Sequence, residues 1–534
     1  MVGSTFAPRR GMRRRVFLLL AIFLVFGALL AAYRIGVDRG FESTIGRETW
    51  GRVLFAVGAA ITRMDHGGYG YTLSTVIETV LTYGGLTDNP KILNELGTKY
   101  PDNLRDTNLI NSAIDKAARF KFPFNPEQAV RGSGGDDLGF VDYVRVGFLL
   151  FGHRLQSLYF AYFLFLGISV AAFIVTFRLR PEYLALLVIT CVAHAALFAS
   201  GLFDSARALL ADPRCLGILA VIPGLHIACL MLSRIRLSVV DQVLAAVQAA
   251  ILVFAFWIRA SAVWVIVGLA LVASLIALEE LRRHRRLPLA RLQSVAILLA
   301  VLAAHTLYVV VALHPVYRQK GEISRHVFWH AVFYQLQHHP QWKNKYGAQF
   351  DNAIGDQLPQ QAAKKYLAKH PSSDPDIYLT ADRSYLTVAA GETYARKAFF
   401  DFLINDPIFV FEAAFWYKSK AIADILAEYL GSLFRASAIG YATAAAVFVV
   451  VGGALAAGGA AEYGRFAGGV LLLTGAFFVS LLPVVLTTPA ALMVEQYYAL
   501  LIAFGGWVVL ILAVGLRRGM QLAKRARAGL QSAG

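Results

Sequence analysis

The chain reads as an all-α polytopic membrane protein, with about ten transmembrane helices and two long, mainly helical outer loops. Three observations predict this. Of the 534 residues, 57% are hydrophobic and only 16% are charged, against roughly 25% charged in an average soluble domain. The mean hydropathy is +0.56. The apolar residues come in blocks of about 20, the length that crosses ~30 Å of hydrocarbon as a helix. Many Arg residues behind the formal charge of +17 sit in short stubs beside these blocks, which points to membrane edges and not to nucleic acid. A soluble enzyme, a secreted disulfide scaffold and a disordered chain are excluded on the same grounds.

The first block runs from Val16 to about Ala32, behind Arg9, Arg10 and Arg13 to Arg15. It is longer than the apolar core of a usual signal peptide, so an uncleaved anchor is expected. The Arg-Arg-Val-Phe-Leu stretch resembles a twin-arginine signal, but positive-inside anchoring explains it. Further spans are expected at about 155–177, 181–202, 214–233, 237–258, 261–278, 292–313, 436–459, 466–488 and 491–515. Basic stubs at Arg178 and Arg180, Arg234 and Arg236, Arg282 to Arg286, Arg465, and Arg517 to Arg527 alternate with turns poorer in Lys and Arg. Placing every stub in the cytoplasm puts both termini there, as an even number of spans requires.

Three units follow from this layout: a seven-helix membrane module (1–313) carrying the first outer loop (33–154), a second outer segment (314–435), and three C-terminal spans with a basic cytoplasmic tail (436–534). The first loop has apolar spacing in 51–63 and 72–84; the second has amphipathic spacing from Ile323 to Leu336 and from 397 to 430. Both read as short helices on or near the membrane surface. Cys191, Cys215 and Cys229 all lie in apolar blocks without metal-site spacing.

The most distinctive segment is Arg131-Gly-Ser-Gly-Gly-Asp136-Asp137-Leu-Gly-Phe-Val-Asp142-Tyr143. A Gly-rich turn lets a ligand approach the backbone closely. Capping of the following helix needs one Asp, by Asp136 or Asp142, not three within seven residues. A carboxylate here suits a general base on a hydroxyl, or a ligand for a divalent cation such as Mg²⁺ or Mn²⁺. Asp38, directly after the first block, and Asp65 are further carboxylates of the same loop.

Cations at the outer ends of spans form a second set. Arg259 lies where two apolar blocks meet and has no acidic neighbour in sequence. Arg207 and Arg214 flank another outer turn, near Asp204 and Asp212. An Arg so placed can clamp a phosphate, or else snorkel to the interface. In the second loop, Arg318, Lys320, Arg325, His330, Trp329, Tyr334 and Trp342 suggest a polar, aromatic-lined surface for an anionic or sugar ligand, or an amphipathic helix on the bilayer. Lys418 and Lys420 would face lipid head groups. His326 and His330 are four apart but have no acidic or Cys partner in register, so no metal site is assigned. Glu495 lies at the outer mouth of the last span.

Together these features resemble the GT-C superfamily of membrane glycosyltransferases, which includes protein mannosyltransferases and bacterial lipid A aminosugar transferases. The resemblance covers most of the chain and is one of layout and a few motifs. Gly-Asp136-Asp137-Leu-Gly-Phe-Val-Asp142-Tyr resembles the acidic segment before the family's second span. Asp38 stands where the first-loop Asp often falls, with Asp65 as the alternative counterpart. Glu495-Gln-Tyr-Tyr resembles the family's Glu-Arg-Tyr motif, with Gln496 in place of Arg.

The resemblance implies an inverting transfer from a polyprenyl-phosphate-linked sugar to an envelope glycan, lipid or protein acceptor. It would take place at the outer face of a bacterial inner membrane. Asp136 or Asp137 would act on the acceptor, and Arg259 with other loop cations on the departing lipid phosphate. No nucleotide-binding loop is present. The competing readings are an O-antigen polymerase or ligase, and a transporter or flippase. Transporters place charges at mid-membrane, whereas Asp241 and Glu279 lie near the cytoplasmic ends of spans.

Overall fold

The computed structural model describes residues 7–40, 56–65 except 62, 107–119, 138–200, 216–233, 237–285, 289–312, 328–374 except 356, 377–378 and 386–421, with a few helical residues beyond. Among them the fold is helical. The only strand-like feature is an isolated antiparallel bridge between Tyr378 and Leu386.

The membrane module is built from α1 (Ala7–Gly40), α2 (Thr107–Arg119), α3 (Leu138–Phe151), α4 (Gln156–Phe177), α5 (Pro181–Ser200), α6 (Val221–Ser233), α7 (Val239–Ile258), α8 (Val263–His284) and α9 (Leu289–Ala312). Among the described residues, four helices are long and apolar enough to cross a bilayer: α4, α7, α8 and the stretch Leu289–Val311 of α9. Shorter apolar stretches occupy Arg15–Ala31, Glu182–Cys191 and Val221–Ser233. The expected span at 214–233 begins instead as a 3-10 turn, Gly217–Ala220, before α6. Pro223 has no N–H to donate, so it fits only in the first turn of that helix. The spans expected after residue 435 lie outside the described residues, apart from two helical positions at 472–473.

Lipid is the solvent this surface suits. Phe23 and Phe26 of α1 are 73% and 67% exposed, and Leu307 and Val311 of α9 are 64% and 65% exposed. Hydrocarbon cannot hydrogen-bond an open backbone, so helices with internally satisfied backbones carry these faces.

α7 is the axis of the module and packs against α3, α4, α6 and α9. Its start is fixed by a capping box. The Asp241 backbone N–H donates to the Ser238 hydroxyl at 3.2 Å, and the Ser238 backbone N–H donates to the Asp241 carboxylate at 3.1 Å. This satisfies helix donors that would otherwise lack partners. Asp241 is therefore a cap at a helix end. The α8–α9 turn, at the same end of α7, is tied by Arg291, which reaches Glu280 at 2.6 Å and the Met231 carbonyl at 3.2 Å.

At the other end α3 folds back on α4 through Gly152, whose φ of +88° favours glycine. Asn111 of α2 holds this corner: its carbonyl accepts from the Leu155 N–H at 2.8 Å and its amide donates to Gln156 at 2.7 Å. Gly139, in the first turn of α3, rests directly on the Trp257 and Ile258 backbone at the end of α7.

A second core lies in 328–421. It is formed by α10 (Trp329–Tyr334), α11 (Trp342–Tyr346), α12 (Gln357–Lys369), α13 (Val388–Asn405) and α14 (Pro407–Phe411), which runs into a π-helical turn, Glu412–Tyr417. Phe333, Leu336, Trp342, Phe350, Leu358, Phe402 and Phe409 fill it. The second outer segment is thus a packed helical unit with its own interior.

A methyl group at Gly139 would overlap the Trp257 carbonyl, and a backbone atom cannot give way as a flexible side chain does. Gly139→Ala is expected to lower thermal stability in detergent by about 1–3 kcal/mol, the usual range for overpacking. Gly167→Ala, with nothing within 4 Å, should be neutral or slightly stabilising. Equal losses at both positions would contradict the close approach of α3 to α7.

Candidate functional site

Of the carboxylates and cations picked from the sequence, Asp136, Asp137, Arg207, Arg318, Arg325 and Glu495 lie outside the described residues. Asp38 falls in the last turn of α1, and Asp65 is exposed at the end of the short helix around 56–65. Asp142 sits against Trp257, two residues before Arg259 at the end of α7, and His330 stands apart in the second core.

Four stretches of chain build the meeting point. α8 returns between α7 and α9, so α7 and α9 run in the same direction and end on the same side. α3 crosses the last turn of α7, and Arg63 reaches in from the first loop. Arg63 and Asp142 form an ion pair whose side chains are 6% and 11% exposed. The Trp257 indole N–H donates to the other Asp142 oxygen at 3.1 Å. Arg63 also donates to the Tyr308 hydroxyl at 3.3 Å. The Trp257 ring meets His305 edge-on, with centroids 5.1 Å apart. Asp142 thus lies one turn inside α3, joins it to α7 and to the first loop, and does not cap α3.

Two more guanidiniums complete the group. Arg145 follows Asp142 by three residues, which places both on one face of α3. Arg259 ends α7 in an extended conformation, its backbone N–H still bonded to Ala255. The Nε atoms of Arg145 and Arg259 are buried and have no hydrogen-bond partner among the described residues. A buried N–H left unbonded costs about 1–3 kcal/mol, more when charged. Among the described residues, this end of the module therefore has unmet donor capacity.

Burial pushes the Asp142 carboxyl up to about 7, opposed by the Trp257 hydrogen bond and the Arg145 charge. Burial lowers Arg63 to about 10, opposed by Tyr308 and aided by Arg145. Arg63 therefore stays charged at neutral pH and holds the touching Asp142 as its counter-ion. Asp142 is engaged on both oxygens, by Arg63 and by Trp257. Among the described residues no three His, Cys, Asp or Glu side chains converge on one point.

The second core revises the aromatic-lined surface expected there. Trp342 is buried and stacks on Phe350, while Trp329 packs on Phe399 and Phe400. The His330 backbone N–H donates to Glu392 at 2.9 Å, beside those of Phe328 and Trp329 at 2.9 and 2.8 Å. One carboxylate of α13 thus caps α10. Lys418, expected at lipid head groups, is only 1% exposed. The wider π-helical winding keeps it on the inward face with Val410 and Ala414. Its amine reaches the Gln335 carbonyl at 3.5 Å, and burial lowers its pKa to about 7. His338, pushed down by burial and by Lys418, is its neighbour. His339 pairs with Glu412 at 3.1 Å.

Sequence reading missed Arg63, Arg145, Trp257 and Tyr308 as site members. A signal existed for Arg145: an Asp and an Arg three apart in an otherwise apolar helix share one face. Arg63 ends an apolar run but carries no mark of its distant partner. Comparison with known proteins adds no relative, since no family model, curated protein or solved structure matches the chain.

Two outcomes are expected. Arg63→Met should cost about 3–5 kcal/mol by leaving Asp142 buried without its counter-ion. Adding Asp142→Asn should restore most of that in chemical denaturation, and a purely additive double variant would contradict the pairing. For Lys418 the folded pKa lies below the unfolded one, so between about 7 and 10.5 the unfolded state holds more protons and stability rises with pH. Hydrogen exchange of 405–421 should slow by up to tenfold per pH unit across that window relative to Lys418→Met at matched pH. The ratio should be flat below it.

Proposed function

We propose that the chain is an integral-membrane glycosyltransferase that moves a sugar from a polyprenyl-phosphate carrier to an envelope glycan, lipid or protein acceptor. The observation that carries this reading is the pair of buried guanidinium Nε atoms, on Arg145 one turn from Asp142 and on Arg259 at the end of α7, that have no hydrogen-bond partner among the described residues. Guanidinium donors in a site of low dielectric suit a phosphate oxygen. Asp136 and Asp137 directly precede α3 in sequence, so acidic groups stand next in the chain to the cationic cluster. The exposed apolar faces of the module suit a prenyl tail. The Arg-rich α8–α9 turn lies at the opposite end of α7, so under the positive-inside rule the cluster faces outward.

In this reading the acceptor oxygen attacks the anomeric carbon of the bound sugar. The bond between that carbon and the phosphate oxygen breaks, and its electron pair leaves with polyprenyl phosphate. The acceptor's proton passes to Asp136 or Asp137 acting as general base. Arg259 and Arg145 meet the negative charge growing on the phosphate. Asp142, held by Arg63 and Trp257, sets where Arg145 and the first turn of α3 stand. These cations supply positive charge at the phosphate.

The test is release of polyprenyl phosphate by the purified chain in lipid, given a polyprenyl-phosphate sugar and envelope extract as acceptor. Arg259→Ala should slow release by roughly 10²-fold, the scale for losing one charge-stabilising donor. Asp136→Asn with Asp137→Asn should abolish it. Full activity in a well-folded double variant would defeat the proposal.

A further inference from the structure

The unit 328–421 turns an unusual amount of apolar side chain outward. On α13, Phe400 and Ile404 are 46% and 79% exposed and lie one turn apart. Past the break at Asp406, Ile408 and Phe411 are 71% and 64% exposed, and Phe415 and Trp416 are 42% and 69% exposed. Phe411 and Phe415 touch, with ring centroids 4.9 Å apart. The core-facing positions between them are Phe402, Phe409, Val410, Ala413 and Ala414, so apolar side chains lie on both sides, the outer ones interspersed with exposed Asp401, Asn405 and Glu412. α12 is different: none of its large apolar side chains is exposed, and its outward positions include Gln360 and Lys369. Apart from Phe328 and Ile354, which are 39% and 70% exposed, the large exposed apolar side chains described in the unit lie on α13, α14 and the π turn. Scattered single apolar residues need no explanation, but a clustered run does.

We propose that this run docks the unit onto the lipid bilayer, with Ile404, Ile408, Phe411 and Phe415 entering the head-group and acyl boundary. The chain favours lipid over a protein partner for three reasons. The unit is tethered to the membrane on its N-terminal side, because α9 ends at Ala312, only 15 residues before the unit resumes at Phe328. The sequence turns apolar again at about 436, soon after Ala421. Exposed Lys397 and Lys420 flank the run at its two ends, and Trp416 sits beside Lys420. Aromatic and basic residues bordering an aliphatic face are the composition of an interfacial helix. The proposal does not depend on the chemistry of the site at Asp142.

Docking has a structural consequence. A unit held by lipid contact along α13 and the π turn, and not only by its two connections, keeps a fixed height above the membrane. Lys418, on the inward face of that turn, then lies in the layer between the unit's core and the lipid.

The experiment uses the full chain with Cys191, Cys215 and Cys229 replaced by Ala. Single cysteines are placed at Ile404, Ile408, Phe411 and, as a control, Gln360, and labelled with an environment-sensitive dye. The chain is reconstituted in nanodiscs of phosphatidylcholine and phosphatidylglycerol, with or without nitroxide-bearing lipid. Labels at 404, 408 and 411 should be quenched severalfold more by the nitroxide lipid than the label at 360, and severalfold less by aqueous iodide. Iodide access equal to that at 360 would mean a solvent-facing surface. Protection from both quenchers would mean that a second copy or another segment covers the run. Either result overturns the proposal.

Discussion

The membrane module depends on one constraint: a carboxylate buried at 11% side-chain exposure must have a counter-charge, and Arg63 from the first loop supplies it. An isolated ion in a poorly solvated setting costs several kcal/mol or more. That cost ties together parts of the chain far apart in sequence. Asp142 brings α3, Arg63 brings the first loop, and the Trp257 indole on the second carboxylate oxygen brings the end of α7. Tyr308 on Arg63 adds α9. Hydrophobic burial alone would let α3 slide on α7, since lipid and leucine are equally apolar. The polar contacts, with the close backbone approach at Gly139, set one register.

Among the described residues the same region has buried donors left over. Asp142 is used up by Arg63 and Trp257, while the Nε atoms of Arg145 and Arg259 stay unbonded among the described residues. A frame that is satisfied and an adjoining surface that is not are different things chemically. The frame holds position.

The second core follows a different logic. It is held by aromatic packing, with Trp342 between Phe350, Phe402 and Phe409, and by one carboxylate, Glu392, on three consecutive backbone N–H groups. Lys418 is its weak point as a charged group, having only a distant amide oxygen for company. Its burial comes from the π-helical turn, whose extra residue per turn keeps position 418 on the face an ordinary helix would carry partly outward.

Sequence alone settled the class of the molecule, because hydrocarbon admits few solutions and blocks of about 20 apolar residues leave a plain mark. Four of the expected spans, at 155–177, 237–258, 261–278 and 292–313, coincide with helices long and apolar enough to cross a bilayer, and 181–202 coincides with the helix α5. It also singled out the Asp136 to Tyr143 segment and Arg259, through clustered charge beside apolar runs. Three things needed the tertiary structure. The partner of Asp142 is 79 residues away, and no local spacing encodes such a pair. Trp329 and Trp342 proved to be packing residues, and Lys418 an inward one, because a short helix's facing is set by what packs on it. Periodicity tells which side of a helix is apolar. Only the arrangement of the other helices decides whether that side meets a core, a lipid surface or a counter-ion, because burial is a property of neighbours.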